Sequence, residues 1–477
     1  MNRRKRLLVG LAGAAAIWLA VASAQAQAPE PRGDLPATEL SPSKLPSEGV
    51  PPGGGGWRTS LYGFAELDAM HDTTQSYGPA SNNAMLARPG TYAGAHGRSQ
   101  LTVNNSQLGL RLAAPDVGRV RTSGQVEVDF FGVLPTDATE QATFTTPALR
   151  MRLLYVKVET PIVDVLAGQF HDLFGWGGEG FYQNSVAFLG VAGELYHRNP
   201  QVRVSKGFGG AAARVDVAVA AVRPAQRDSE APDLQAGVKL AVNGWKGAAT
   251  QGFGKPVVLP LTIGLSAVGR RFAVAEFLPN PGDPKIAFGW GAAIDTVLPV
   301  IPVRDPDKKG NALTLTGEFS KGTGIADLYT GLTGGALFPL LPDPSGGLVP
   351  PPLYRPNIDS GIVTYDADGN LKTIDWWSVV LGLQYYLPVD AGRLWVSATA
   401  SRLKSGNILG LTPEASRGGI FIQQDYVDGN LFCLVTPALE LGLSLQVTEQ
   451  TFGDFPFGGP HVKTRNYRGE GGVRFFY

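Results

Sequence analysis

From Trp57 onward the apolar positions recur at every second residue. Leu439, Leu441, Leu443, Leu445 and Val447 alternate with Glu440, Gly442, Ser444, Gln446 and Thr448. Trp377, Val379, Leu381, Leu383, Tyr385 and Leu387 alternate with Ser378, Val380, Gly382, Gln384 and Tyr386. Leu259, Leu261, Ile263 and Leu265 alternate with Pro260, Thr262, Gly264 and Ser266. Successive side chains of a strand point to opposite faces, so each run has one apolar face and one small or polar face. Strands of a soluble sandwich usually run about five or six residues, whereas alternation held over about ten suits a strand with lipid on one side and a wet lumen on the other.

About 16 such runs are expected, centred near Phe64, Leu108, Val126, Leu153, Leu166, Val202, Val217, Val238, Ile263, Gly291, Leu315, Leu381, Val396, Leu431, Leu443 and Val473. Short connections (Ala114–Gly118, Thr160–Pro161, Gly207–Gly210, Pro388–Gly392, Thr436–Pro437) take turns with long ones (His71–Gly97, Asp172–Arg198, Gly322–Lys372, Lys404–Asp425, Phe452–Val462). The expected fold is all-β: a transmembrane antiparallel β-barrel of about 16 strands with short periplasmic turns and long outer loops. An even count leaves both barrel ends in the periplasm. Trp377 and Tyr385, on one face and eight residues apart, match two interfacial aromatic girdles. The final run places Tyr467, Gly469, Gly471, Val473, Phe475 and Tyr477 toward lipid and Arg468, Glu470, Gly472, Arg474 and Phe476 toward the lumen. Phe475 and Tyr477 are the expected contact with the barrel-assembly machinery.

The amino terminus adds a destination. Arg3 to Arg6 precede an apolar stretch from Leu7 to Val21 and small-x-small sites at Ala22–Ala24 and Ala24–Ala26. Residues 1–26 therefore read as a secretory signal peptide. Residues 27–56, rich in Pro and Gly, read as a periplasmic tail, and 57–477 as the barrel. The 41 basic and 41 acidic residues become 37 against 41 once the four basic residues of the signal are removed, which argues against nucleic-acid binding. A single cysteine, Cys433, excludes an internal disulfide and falls on the lipid phase.

Residues 105–133 read NSQLGLRLAAPDVGRVRTSGQVEVDFFGV, 149–170 read LRMRLLYVKVETPIVDVLAGQF, 198–204 read RNPQVRV, and 61–72 read LYGFAELDAMHD. In this order the segments resemble the DcaP-like family of outer-membrane porins over about the first third of the chain. The resemblance implies a homotrimer of sixteen-stranded barrels in the outer membrane of a Gram-negative cell, with a preference for small anionic solutes such as dicarboxylates. It departs from the family at the Pro/Gly-rich tail, where members can carry a coiled-coil extension, and at the long insert 322–372.

The lumen phase supplies candidate chemistry. Arg111, Arg119, Arg121, Arg150, Arg152 and Arg203 are expected to form a basic ladder on neighbouring strands, with Glu127 and Asp129 among them. A guanidinium keeps its charge and can hold a carboxylate at two points, and a row of such forks gives successive weak anion sites. On the competing reading, Arg119 and Arg121 pair with Glu127, Asp129 or neighbours and merely satisfy the wall. The phase at Gln169 and His171 stays open. The third outer loop, Asp172–Arg198, is apolar for an exposed loop. Folded inward, it would bury Trp176, Phe181, Tyr182 and Phe188 and place Asp172, Glu179 or Glu194 at a constriction; packing on top of the barrel or at a trimer contact is the alternative.

The five histidines make no HExxH, and no G-x-S-x-G elbow or P-loop lysine occurs. Asp366, Asp368 and Asn370 read as a polar hairpin tip, lacking the full ligand spacing of a calcium loop. No enzyme, metal or cofactor is expected. The function expected is passive diffusion of small hydrophilic solutes through an outer-membrane porin. The alternatives are a structural or adhesive barrel with a plugged lumen, and a barrel enzyme.

Overall fold

The computed structural model describes residues 56–80, 85–132, 148–176, 181–187, 191–250, 254–276, 282–303, 305, 307–332, 358, 361–366, 368–453 and 462–477, without the side chains of Arg227, Ala415 and Ser416. The expected signal peptide, all of the tail but Gly56, the loop residues Glu179 and Phe188, and most of the insert 322–372 lie outside these residues.

Sixteen antiparallel strands close into one barrel. They are β1 (Arg58–Asp72), β2 (Arg98–Thr102 and Gln107–Ala113, interrupted by a turn), β3 (Arg121–Asp129), β4 (Arg150–Glu159), β5 (Asp164–His171), β6 (Arg198–Gly209), β7 (Ala213–Val222) and β8 (Asp233–Ala249). They continue as β9 (Val257–Ala275), β10 (Pro284–Ile301), β11 (Leu313–Thr323), β12 (Asp375–Tyr386), β13 (Leu394–Ser405), β14 (Phe421–Thr436), β15 (Leu439–Phe452) and β16 (Lys463–Phe476). Each pairs with its sequence neighbours. β16 closes on β1 from Phe64↔Phe476 to Asp72↔Arg468, and Gly63 and Tyr477 exchange both backbone hydrogen bonds at 3.2 Å. All sixteen expected centres fall in strands.

The alternation has the expected sense. Leu61, Leu67, Leu108, Val202, Val219, Leu265, Phe288, Leu381, Val427 and Phe475 are exposed on the outside, while Glu66, Asp68, Glu127, Arg203, Thr316, Gln384, Ser397, Asn430 and Arg474 are buried on the inside. On β16 every inward position from Arg468 to Arg474 is buried and every outward one less so. An apolar belt around a closed barrel, with no free strand edge, is the surface a bilayer requires.

Two irregularities shift the expected phase. On β4 the register slips between Glu127 and Val128, so both Arg152 and Leu153 turn inward and Tyr155 and Lys157 follow on the lumen side. On β9 the register slips between Pro260 and Leu261, leaving Asn243, Gly244 and Trp245 of β8 unpaired with β9. Proline has no N–H for the ladder, so the pairing breaks there. Leu259 accordingly leaves the outward row expected with Leu261, Ile263 and Leu265 and joins an inward cluster with Trp176 and Phe181. Gln169, whose phase was open, faces outward beside Pro200, its amide donating to Met151 O and Arg152 O.

At the outer ends of β9–β15 lies the largest apolar cluster, which includes Phe174, Phe272, Ile325, Tyr329, Ile374, Trp376, Ile408 and Phe421. A small hairpin, Val363–Tyr365 with Leu371–Thr373, contributes to it. The tip of that hairpin is closed by Asp366, whose Oδ1 accepts from the N–H groups of Asp368 and Asn370.

Candidate functional site: the lumen wall of β2 to β6

Antiparallel pairing brings inward residues of adjacent strands side by side: Arg111 opposite Gln125, Asp129 opposite Arg150, Gln125 opposite Tyr155, Leu166 opposite Arg203. Four of the six expected arginines, Arg111, Arg150, Arg152 and Arg203, therefore share one wall with Glu127 and Asp129. Arg121 stands at the rim, half exposed, 3.6 Å from Glu159. Arg119 is displaced: it lies exposed in the turn that Val117 and Val120 close ahead of β3, because the strand begins only at Arg121.

The acids of this wall are taken by β4. Arg150 grips Asp129 through Nε (3.0 Å) and Nη2 (2.6 Å). Arg152 donates to Glu127 Oε1 (2.7 Å), Asp129 Oδ2 (3.0 Å) and the Tyr196 hydroxyl (3.0 Å). Glu127 also accepts from the Tyr62 hydroxyl at 2.7 Å. The pairing that the competing reading gave to Arg119 and Arg121 thus belongs to Arg150 and Arg152, which share Asp129, with Arg152 also reaching Glu127.

Arg111 is left without an acid among the described residues. Its guanidinium lies 4.0 Å over the Tyr62 ring, and its Nε is buried with no acceptor. Arg203 donates to Gln201 Oε1 and His171 O and sits 5.3 Å from the Phe170 ring centroid. Arg198, at the outer start of β6, lies 5.3 Å from the Tyr196 ring with Nη1 buried and unpaired. Burial alone would push the Tyr196 hydroxyl up, but Arg152 and Arg198 pull it below its ordinary value. Tyr182 completes this corner, bonded to His171 at 2.8 Å and 4.9 Å from the Tyr196 ring. Cation–π contact leaves a guanidinium its charge and its N–H edges, so this wall carries basic groups whose edges can receive an anion.

Sequence reasoning missed Arg198, Tyr196, Tyr62 and Lys157. Arg198 and Tyr196 flank a loop-to-strand junction where alternation has not begun. Lys157 lies beyond the bulge, on the phase that strict alternation sends to lipid.

Described residues between 172 and 197 bond to β8, β9, β11, β13 and β14, mostly through inward side chains. Leu173 and Phe174 N–H groups donate to Gln235 of β8, and Gly175 N–H to Ser266 of β9. Trp176 Nε1 donates to Leu265 O, and Gln183 Oε1 accepts from Thr316 of β11. Asn184 accepts from Trp395 and Ser397 of β13, Val186 N–H donates to Asn430 of β14, and Leu195 N–H donates to Glu318 of β11. Asp172 is buried at the neck, accepting from Asn199 and Gln235. Glu194 Oε1 accepts from Gln183 N–H at 2.8 Å, and burial, with Glu318 nearby, holds its carboxyl well above the usual range. These acids brace the segment on itself and on the wall.

Glycines give this segment room. A Cβ on inward Gly237 would stand 2.8 Å from the Trp176 ring, and one on Gly264 would stand 2.9 Å from Trp176 and 3.2 Å from Phe181. Gly264→Val is expected to displace Trp176 and lower stability by about 1–3 kcal/mol, the usual result of overpacking. Denaturant unfolding followed by tryptophan fluorescence measures this; an unchanged midpoint and emission maximum would mean that Trp176 does not rest on β9.

No protein-family model matches the chain, and no curated protein is similar to it in sequence. Among solved structures, the outer-membrane channel DcaP of Acinetobacter baumannii is similar with a TM-score of 0.59 and 17% identity, covering 88% of this chain and 98% of that one. OmpT of Vibrio cholerae in its trimer form follows at TM-score 0.46 and 10% identity, covering 88% and 100%. OprB of Pseudomonas putida follows at 0.42 and 10%, covering 89% and 94%. At 17% identity the likeness to the DcaP channel is one of fold, over most of both chains.

Proposed function

We propose that this protein is an outer-membrane porin of DcaP-like type. It lets small hydrophilic solutes diffuse passively and favours small anions such as dicarboxylates. The carrying observation is the basic excess on the β2–β6 wall of a closed sixteen-stranded barrel: Arg111, Arg150, Arg152 and Arg203 against Glu127 and Asp129, with the Nε of Arg111 buried and lacking an acceptor. Sixteen strands enclose a bore wide enough for water, which eight do not. The segment 172–197, bonded to β8–β14, folds inward as the third outer loop and forms the opposite side of the constriction, so solutes pass between it and the arginines. Successive weak, charge-assisted contacts admit an anion without trapping it. The outward apolar belt meets lipid, three copies associate, and Phe475 and Tyr477 contact the assembly machinery.

Purified protein in a planar bilayer across a KCl gradient is expected to show a zero-current potential of the sign set by chloride, reduced by millimolar dicarboxylate. A potential at zero or of the opposite sign sinks the anion preference. A membrane that stays non-conducting sinks the porin reading and favours a plugged barrel. On unheated gels the protein is expected to run as a trimer that boiling dissociates; recovery as a urea-extractable soluble monomer would be incompatible with the membrane assignment.

A further inference from the structure

The connection between β8 and β9 lies at the periplasmic end, and it departs from the barrel wall. Beyond the break at Pro260, Lys246 to Ala249 pair with Val257 to Pro260 as a hairpin of their own. Trp245 Nε1 donates to Pro299 O at 2.7 Å, and Val303 N–H donates to Lys246 O at 2.8 Å, which carries the hairpin across the end of β10. Its next partners are inward side chains. Thr314 of β11 donates to Ala248 O at 2.5 Å. Gln384 of β12 grips Thr250 from both sides: Thr250 N–H donates to Oε1, and Nε2 donates to Thr250 O, each at 2.7 Å. The hydroxyls of Thr250 and Tyr386 are 2.9 Å apart. Ala248 and Ala249 are both fully buried, so neither face of this hairpin meets solvent or lipid there.

The hairpin also reaches far. Lys255 Nζ stands 5.3 Å from the centroid of the Phe476 ring on β16, eight strands from β8 and so on the opposite side of a sixteen-strand barrel. Five residues separate Lys255 from Pro260, an extended reach of roughly 17 Å before the side chain is added. On its upper face the hairpin touches the outer-loop segment. Ala249 and Leu259 share an apolar cluster with Leu173, Trp176 and Phe181, and Ala248 shares another with Val186, Tyr386, Trp395 and Phe432.

We propose that this hairpin is a periplasmic strap and a second constriction. It enters the lumen from below, supports Leu173, Trp176, Phe181 and Val186 of the outer-loop segment from beneath, closes the β8–β14 side of the exit and leaves solutes the lane along β1–β7. Lys255 places a further cation at that exit, so anions leaving the arginine wall pass one more positive charge. The inference rests on the porin reading above.

Two variants in a Cys433→Ala background test it. In the first, residues 247–259 are replaced by Asn-Gly, keeping Lys246 opposite Pro260. Single-channel conductance in 1 M KCl is expected to rise at least twofold, with a trisaccharide excluded by the parent entering liposomes. The second, Lys255→Cys, keeps the whole chain. Modification by a bulky thiol-reactive reagent added from the periplasmic side is expected to cut its conductance by more than half, and the Cys433→Ala parent is expected not to respond. If complete labelling at position 255 leaves the current unchanged, the strap does not border the path and the proposal is overturned, whatever the fate of the first variant. A conducting parent with two unresponsive variants overturns the strap alone. A parent that does not conduct overturns the porin reading, and if the shortened variant then conducts, the strap is the plug.

Discussion

A triple variant, Arg111→Glu, Arg150→Glu and Arg203→Glu, is expected to reverse the sign of the zero-current potential, from that of the proposed anion preference to that of a cation preference. Each substitution exchanges a positive for a negative charge on one wall. Single changes should act weakly, because a lumen charge is screened over about 8 Å at physiological salt. The positions follow from the pairing. Arg121 stands at the rim beside Glu159 and is half solvated. Arg152 holds Glu127, Asp129 and Tyr196 together, so its loss would strand buried carboxylates and damage the wall itself. Arg111 has no acid partner among the described residues, and Asp129 keeps Arg152 when Arg150 is replaced. Dicarboxylate uptake into liposomes should fall while that of a neutral sugar of similar size holds. Unchanged selectivity in the triple variant would mean that these guanidinium groups are not in the solute path.

Arg474→Ala is expected to destabilise the barrel by about 3–5 kcal/mol, the range for breaking a buried ion pair from one side. Phe475→Asp, one residue away, should cost about 1 kcal/mol or less near the bilayer interface. The strand pattern alone suggests the reverse order, since it sees a lipid-facing aromatic beside a lumen charge. The structure shows Arg474 buried at the closing seam. Its Nη2 is 2.7 Å from Glu66 of β1 and its Nη1 2.9 Å from Glu440 of β15, so one side chain ties together the three strands that close the barrel. Removing it leaves two buried carboxylates facing each other. Denaturant unfolding of protein refolded into lipid vesicles should rank the variants in this order. Adding Glu66→Gln and Glu440→Gln to Arg474→Ala should recover much of the loss. Equal stability of Arg474→Ala and the parent would mean that lumen water solvates these acids.

Arg270 is a second buried tie that the pattern does not reveal. It joins Asp233 of β8 to Asp327, which lies in a short 3-10 turn after β11, with bonds of 2.6–2.8 Å. Arg468 likewise holds Asp72 through two bonds across the β16–β1 seam. In each case the strand phase places the arginine inward, but its partner is dozens to hundreds of residues away.

The sequence by itself determined the barrel. Alternation is a local consequence of strand geometry, so strand centres, the inward phase of Arg111, Glu127, Asp129 and Arg474, and the outward phase of Phe475 could be read from neighbours two residues apart. What only the tertiary structure decided is which inward groups meet. Cross-strand pairing puts Arg150 and Arg152, rather than Arg119 and Arg121, on Glu127 and Asp129, the β4 bulge turns Leu153, Tyr155 and Lys157 inward, and beyond the break at Pro260 the β8–β9 hairpin bonds to inward side chains of β11 and β12. The bonds of segment 172–197 to β8–β14, and the seam at Arg474, join residues far apart in the chain. A one-residue slip reverses every side chain beyond it, and a loop that leaves the wall obeys no period at all. Strand periodicity carries no information about either, because both are fixed by contacts that exist only once the barrel has closed.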